Sequence, residues 1–157
     1  DPKLPGIPFH MLRVDIAGNI SKRFSLSGIE IPRYGGACPR WNIYSAFTTP
    51  GKIHAAVSKM SNGEKYVCIA RTVEKGVGRY GKSKSMLSIG LGCEAKYAKD
   101  FVYTENLNIN DKKIEMPIGV SCRTCDRLDC SQRAFPPLHK KFDVDINSRG
   151  VSVYVTE

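Results

Sequence analysis

Three cysteines in the C-terminal part of the sequence have the types and spacing that most clearly indicate chemistry. Cys122, Cys125 and Cys130 follow one another with two and four residues between them. Such short intervals can bring three thiolate ligands to one point without a long-range fold, as in many metal sites. Because tetrahedral zinc and cubane iron–sulfur clusters take four ligands, a fourth ligand must come from elsewhere in the chain.

Four residues are candidates for that fourth ligand: Cys38, Cys68, Cys93 and His139. Cys38 precedes a proline, as in Cys-Pro iron–sulfur segments, whereas Cys93 is expected at a helix N-terminus, where the dipole favours a thiolate. We prefer Cys93 to Cys38. Cys68 lies in a predicted strand and is interpreted as a small buried hydrophobe. Use of His139 would give a Cys3His zinc site, while four thiols permit zinc or an iron–sulfur cluster.

The length and composition of the chain indicate its general class. Its 157 residues suit a single domain with its own core, and no apolar run is long enough for a membrane span. Without a signal sequence we expect a cytoplasmic protein, in which clustered cysteines are reduced or bind metal rather than form disulfides. Residues 1–8 contain three prolines and are expected to be a linker, in a chain cut from a longer protein.

The charge of the chain favours a polyanionic partner. Its 24 basic and 15 acidic residues give a formal net charge of +9. Such an excess favours nucleic acid or a phosphate-bearing metabolite, although it also serves solubility alone. The basic, glycine-rich loop 75–84 could hold phosphates through side chains and backbone amides, but it matches no known phosphate-binding fingerprint. A solvated hairpin loop is the alternative.

Hairpin signals organise most of the chain. Predicted turns that separate pairs of strand-like segments lie at 17–19, 62–63 and 147–150. A further buried strand is predicted at 86–91, and helices are predicted from Pro39 and over 95–103. We therefore predict one α+β domain over residues 1–157, with an antiparallel sheet built from hairpins and flanked by helices.

Catalytic signatures are not found in the sequence. It contains no Gly-x-Ser-x-Gly elbow and no His-Glu-x-x-His pair, and its cysteines have no evident histidine neighbour that would activate them. We therefore predict a binding or sensing module rather than an enzyme.

Four segments of the sequence together resemble one known family. They are segments 33–42, 66–72, 89–94 and 122–137, which read RYGGACPRWN, YVCIART, IGLGCE and CRTCDRLDCSQRAFPP. They resemble the C-terminal domain of the short-chain fatty-acyl transcriptional regulator family, whose members are bacterial regulators of propionate and acetate metabolism. The resemblance covers nearly the whole chain, and segment 122–137 is its most specific part.

This resemblance implies a GAF-like effector domain that binds a short-chain acyl-CoA and carries an iron–sulfur cluster. DNA would be bound by an N-terminal helix-turn-helix domain that is absent from this chain. The metal role would fall on Cys122, Cys125 and Cys130, together with Cys93 or Cys38. Coenzyme A carries several phosphate charges, and the resulting candidates for its site are Arg33, Arg40, Trp41 and Arg71. The lysine-rich loop 75–84 departs from the family pattern.

Other functions stay open at this stage. The cysteine cluster and the charge of +9 also suit a zinc-stabilised module that itself binds nucleic acid. An enzyme acting on acyl-CoA would need a catalytic group that the sequence does not identify. Zinc is the alternative to an iron–sulfur cluster. No membrane partner is expected. The sequence does not determine the oligomeric state, and a homo-oligomer is possible.

Overall fold

The computed structural model describes residues 6–76, 80–81, 84–140, 142–143, 146–147 and 155–156. Its main sheet contains β1 (His10–Asp15), β2 (Ile20–Ser25), β3 (His54–Lys59), β4 (Lys65–Lys75), β5 (Ser85–Glu94) and β6 (Glu115–Pro117). The strand order is β2-β1-β5-β4-β3-β6. Two short strands, β7 (Phe142–Asp143) and β8 (Val155–Thr156), pair antiparallel as a separate ribbon.

Two hairpins form the two sides of the main sheet, as predicted from the turns at 17–19 and 62–63. β1 pairs antiparallel with β2, and β3 pairs antiparallel with β4. Gly63 has a φ of +90°, a conformation that glycine adopts without steric cost. β5 joins the hairpins by pairing antiparallel with both β1 and β4.

Strand β6 makes the sheet mixed rather than purely antiparallel. It runs parallel to β3, with Val57 opposite Glu115. The amide of Ile118 donates to the carbonyl of Lys59 at 2.9 Å, which fixes the end of β6. The sequence predicted a loop over 106–116, because a strand of three residues is too short to show an alternating pattern.

The helices are shorter than predicted. The segment after Pro39 contains only one α-helix, α1 (Asn42–Ser45), which continues as a 3-10 turn at Ala46–Thr48. The helix predicted over 95–103 consists instead of two 3-10 segments, Ala95–Asp100 and Val102–Thr104. None of the helices in the described residues has the length and apolar character needed to cross a membrane.

Strand β5 extends further than predicted and includes Cys93. Cys93 lies opposite Val67 and Glu94 opposite Tyr66 in the pairing with β4. Cys93 is therefore a strand residue and not the start of a helix. Pairing along the whole of β4 determines the conformation here, because tertiary context readily overrides weak local helix propensity.

The hydrophobic core lies between the sheet and the segment that contains α1. Its largest members include Trp41, Ile43, Tyr66 and Ile118. The Trp41 indole Nε1–H donates to the carbonyl of Gly119 at 2.8 Å, so the segment before α1 is joined to the segment before the cysteine cluster.

A buried histidine bridges β1 and β4 within this core. His10 is 3 % exposed, and its Nδ1 lies 2.7 Å from the Ser27 hydroxyl. Its Nε2 lies 3.5 Å from the Cys68 sulfur. A Cβ at Gly92 would lie 2.5 Å from His10 Nε2, so only glycine leaves room for the ring. Burial lowers the pKa of His10 to about 4 and raises the pKa of Cys68 to about 12, so both are neutral at pH 7. Cys68 packs against the core, as predicted.

Three predicted features lie partly outside the described residues. The linker 1–8 is described only from residue 6, and the basic loop 75–84 lacks residues 77–79 and 82–83. The third hairpin is represented by the β7–β8 pairing, while most of its turn and much of both strands lie outside the described residues.

The first testable prediction concerns the buried His10. Because its folded pKa of about 4 lies below the unfolded value of 6.5, acidification protonates the unfolded chain first and destabilises the fold over that interval. The shift corresponds to roughly 3 kcal/mol lost between pH 6.5 and 4. A His10→Asn variant should lose correspondingly less of its free energy of unfolding between pH 7 and pH 4. Urea unfolding of both proteins at the two pH values measures this. Equal losses in both proteins would contradict the prediction.

Candidate metal centre and adjacent groove

Four of the six cysteines line one small cavity at the surface of the core. The cavity also contains three arginines and lies between the segment before α1 and the C-terminal cysteine segment. The cysteines and arginines that line it are Cys38, Cys122, Cys125, Cys130, Arg40, Arg127 and Arg133. The structure therefore brings together the three closely spaced cysteines of the sequence and one distant cysteine.

That distant cysteine is Cys38 and not Cys93. The amide of Cys38 donates to the carbonyl of Val120 at 2.9 Å, next to the Trp41–Gly119 hydrogen bond. Cys93 is fully buried in β5 and does not line the cavity. The signal in the sequence that favours Cys38 is the Cys-Pro pair that it forms with Pro39.

The four thiols surround a common space without being set at coordination distances. Among the described residues, no three His, Cys, Asp or Glu side chains are already arranged to hold a metal ion. The free volume between them is about 10 Å³, close to the smallest space that holds one water molecule. A single ion would fit this space more directly than a four-iron cluster, which would require the thiols to move outward.

The electrostatics of the cavity suit a cation bound by thiolates. Burial raises the pKa of the Cys38 thiol, hydrogen bonds from the backbone at Gly119 and Arg40 partly offset this, and negative charge on Cys122 and Cys125 raises it further. Neighbouring thiolates therefore oppose one another's ionisation unless a positive ion lies between them. Thiolates are the donors that zinc and iron–sulfur clusters accept.

Arg127, which lines this cavity, has an unpaired donor. Its Nε is buried and has no hydrogen-bond partner in the part of the chain that the structure describes. A buried donor without an acceptor is costly. A thiolate or sulfide of an anionic metal centre would supply that acceptor, so the residues present fit such a centre.

Arg133 holds the cysteine segment in shape. It is 8 % exposed. Its guanidinium donates to the carbonyls of Cys122 and Cys125, each at 2.9 Å, and of Phe135 at 3.2 Å, and also to the carbonyl of Arg127. These hydrogen bonds give Arg133 a positioning role. Segment 122–135 has no regular secondary structure beyond the 3-10 turn Cys122–Thr124. Hydrogen bonds from one buried guanidinium therefore hold its backbone in place.

A larger groove adjoins the cysteine cavity. Its volume is about 480 Å³, within the usual range for small-molecule sites. It is lined by the β1–β2 turn, the loop before α1, Tyr44, and the segments 121–123 and 134–135. Pro39 and Cys122 line both the groove and the cysteine cavity.

Tyr44 joins the two loops on one side of the groove. Its hydroxyl donates to the carbonyl of Gly18 at 3.1 Å and accepts from the amide of Ala37 at 2.8 Å. A Cβ at Gly36 would lie 2.9 Å from the Gly18 carbonyl oxygen, so a side chain there would push the loops apart. Glycine is therefore needed at position 36 for this close approach.

An aromatic and cationic pair also lines the groove. The Arg123 guanidinium lies over the Phe135 ring, 4.5 Å from its centroid. Both side chains are exposed at the groove, as is Tyr34, which is 90 % exposed. The groove therefore combines apolar and aromatic surface with one positive charge.

The four residues proposed from the sequence for the ligand site lie elsewhere. Arg40 lines the cysteine cavity, Trp41 lies in the core, Arg33 borders a shallow surface depression, and Arg71 is exposed in β4. None of them lines the groove. The sequence did not indicate a ligand-binding role for Tyr34, Tyr44, Arg123 or Phe135, although three of these four lie within the quoted motifs 33–42 and 122–137.

The comparisons with known proteins identify the class and then the family. The fold matches a solved structure of a Mycobacterium tuberculosis transcriptional regulator with a TM-score of 0.86. The two sequences are 38 % identical, and the match covers 96 % of this chain and 46 % of that one. The mixed sheet with few helices is thus the fold of a regulator domain. A family model described as "Short-chain fatty acyl coenzyme A regulator, C-terminal" matches residues 1–154. The chain belongs to this family, as the sequence motifs predicted.

Curated relatives are also transcriptional regulators. The chain is 43 % identical over 158 residues to HTH-type transcriptional regulator RamB of Mycobacterium tuberculosis, covering 99 % of this chain and 33 % of RamB. It is 42 % identical over 153 residues to a propionyl-CoA carboxylase regulator of Cereibacter sphaeroides, covering 98 % of this chain and 33 % of that regulator. The chain therefore spans about a third of the length of these relatives.

The second prediction tests the positioning role of Arg133. An Arg133→Met variant leaves several carbonyls of the cysteine segment without their charged donor, so its free energy of unfolding should fall by about 3 kcal/mol. Arg123→Met in the same segment removes only an exposed stack and should cost less than about 1 kcal/mol. Urea unfolding followed by circular dichroism measures both. Equal losses would show that the buried guanidinium has no special role.

Proposed function

We propose that this chain is the effector-sensing domain of a bacterial transcriptional regulator. It binds a short-chain acyl-CoA in the groove and carries a cysteine-ligated metal centre in the adjoining cavity. DNA is contacted through a domain outside this sequence, and the domain itself performs no catalysis. A GAF-like relationship, implied by the family resemblance, is part of the same proposal.

The observation that carries the ligand proposal is the groove itself. Its volume of about 480 Å³ suits a short acyl chain with part of the pantetheine arm, and its aromatic and apolar lining suits their hydrocarbon. Arg123 at the groove and the net charge of +9 favour the phosphates of coenzyme A. The matching family description names the same class of ligand.

The metal proposal rests on the four cysteines and the unpaired Arg127 donor. Cys38, Cys122, Cys125 and Cys130 are the proposed ligands, because they alone among the described cysteines line the cavity. We favour an iron–sulfur cluster, in line with the family resemblance. Zinc is the second candidate, because the free space of about 10 Å³ suits a single ion.

The third prediction tests the ligand site by a matched pair of charge reversals. Arg123→Glu and Arg71→Glu change the net charge equally, but only Arg123 lines the groove. The affinity for propionyl-CoA in calorimetry should fall about tenfold in Arg123→Glu and change little in Arg71→Glu. The wild-type affinity should also fall as salt rises.

Three results would count against this assignment. Equal effects of the two reversals would place the phosphates outside the groove. No heat with acetyl-, propionyl- or butyryl-CoA would remove the ligand proposal itself. Tight, salt-dependent binding of DNA by this chain alone would instead favour a nucleic-acid-binding module.

The fourth prediction tests the metal ligands. Replacement of any one of the four proposed ligands by serine should abolish metal binding, because each substitution removes one of four soft ligands. The four variants are Cys38→Ser, Cys122→Ser, Cys125→Ser and Cys130→Ser. Cys93→Ser is the matched control and should retain full metal content. Metal analysis and visible absorption of protein prepared without oxygen measure this, with a brown colour for iron–sulfur and none for zinc.

The pH dependence provides a further check on the same centre. Protons compete with the metal for each thiolate, and the raised pKa of Cys38 strengthens that competition. Metal affinity should therefore rise with pH and fall on acidification. Full metal content in Cys38→Ser, or an affinity independent of pH, would contradict this ligand set.

A further inference from the structure

The main sheet has two faces, and one of them packs on the hydrophobic core. Leu12, Val14 and Ala70 belong to that core face and are buried. Because side chains alternate along a strand, the residues next to them in sequence point to the opposite, outer face. One row of directly paired outer-face residues crosses five strands, from β2 to β3. Its members, in spatial order, are Phe24, Met11, Leu91, Ile69 and Ala55.

This outer row is apolar and partly open to solvent. Phe24 is 54 % exposed and Leu91 is 39 % exposed, while the other three members are half-buried. The apolar surface continues along β4 and β5 through Ile89, Leu87 and Val73. The solvated face of an antiparallel sheet is normally polar, whereas a contiguous apolar patch marks an interaction site. The outer face therefore has the character of an interface.

Basic side chains border the apolar row. Arg13 lies opposite Lys22 in β2 and opposite Ile89 in β5, and Arg71 lies opposite Ile89 from β4. In the described part of the chain, none of these three cations forms an ion pair. The carboxylate of Asp15, on the same face, already accepts from the amide of Asn19 at 2.9 Å. A second copy stacked on this face would bring like charges together, so a complementary partner is apolar and acidic.

We propose that the outer face of the main sheet binds an amphipathic helix whose apolar stripe is flanked by acidic residues, supplied by the part of the regulator outside this chain. Helices are the usual cover of a sheet face. Neighbouring strands lie about 4.8 Å apart, so the row spans about 19 Å, the length of a helix of about 13 residues.

The relatives have the length to supply such a helix. About two thirds of RamB and more than half of the solved regulator chain lie outside the match. The inference rests on the proposed function, in which this chain is one domain of a longer regulator.

The test places the photo-crosslinking residue benzoylphenylalanine at position 91 of the full-length regulator, because Leu91 lies in the middle of the row. Position 138 carries it in the control protein, since Leu138 is 71 % exposed in the segment after the cysteine cluster. Mass spectrometry after irradiation should join position 91 to one segment outside this chain, with apolar residues at helical spacing and flanking acidic residues. Position 138 should not crosslink to that segment.

A pair of charge reversals in the position-91 protein tests the acidic flank. Arg71→Glu should lower the yield of this crosslink about fivefold, because a cation that faces the acidic residues becomes a like charge. Lys112→Glu changes the net charge equally, but Lys112 lies beside the β3–β4 turn and should leave the yield unchanged. In the protein without either reversal, the yield should fall as salt rises.

Other occupants would give different products. A crosslink between two copies would assign the face to self-association, and a crosslink to residues of this chain would assign it to the domain's own fold. Either result, no crosslink from position 91, or equal yields in the two charge reversals would overturn the proposal.

The proposed function is tested separately. If this chain binds propionyl-CoA while position 91 gives no crosslink to an outside segment, the helix-binding face is refuted and the ligand proposal stands. If this chain binds no acyl-CoA, the ligand proposal falls, and the crosslink still shows whether the outer face has the proposed occupant.

Discussion

Two hydrogen bonds between distant segments hold the candidate site together. The amide of Cys38 donates to the carbonyl of Val120, and the Trp41 indole donates to the carbonyl of Gly119. They place the loop before α1 against the residues that enter the cysteine segment. Without these two hydrogen bonds, Cys38 would not be held beside Cys122. The groove and the cysteine cavity would then lose the wall that they share. Burial of Trp41 in the core anchors this junction, since an indole donor without its acceptor would be costly there.

Around that junction the site contains buried thiols and buried guanidinium groups, each of which is costly to bury alone. Buried thiols resist ionisation, and buried guanidinium groups need acceptors. Arg133 meets that need with backbone carbonyls of the cysteine segment, whereas Arg127, which lines the cavity, keeps one unpaired buried donor. An anionic centre in the cavity would supply the missing acceptor, which is the physical basis of the proposed metal centre.

Local signals in the sequence predicted the hairpins but not their assembly. The Asn62-Gly63 turn and the alternating segments beside it determine β3 and β4 by short-range chemistry. By contrast, β6 and the strand conformation of Cys93 depend on pairing partners that are distant in the chain. The clustering of Cys122, Cys125 and Cys130 could be predicted from their spacing. The carbonyl acceptors of Arg133 and the assembly of the groove could not, because backbone groups and loop proximity have no residue signature.

Burial limits the reactivity of the two cysteines of the main sheet. Cys68 lies beside a neutral imidazole and has a raised pKa, and burial likewise raises the pKa of Cys93. Since the thiolate is the form that attacks oxidants and alkylating reagents, these two sheet cysteines are protected by protonation rather than by a disulfide. The thiols of β4 and β5 should therefore react slowly with such reagents while the domain is folded.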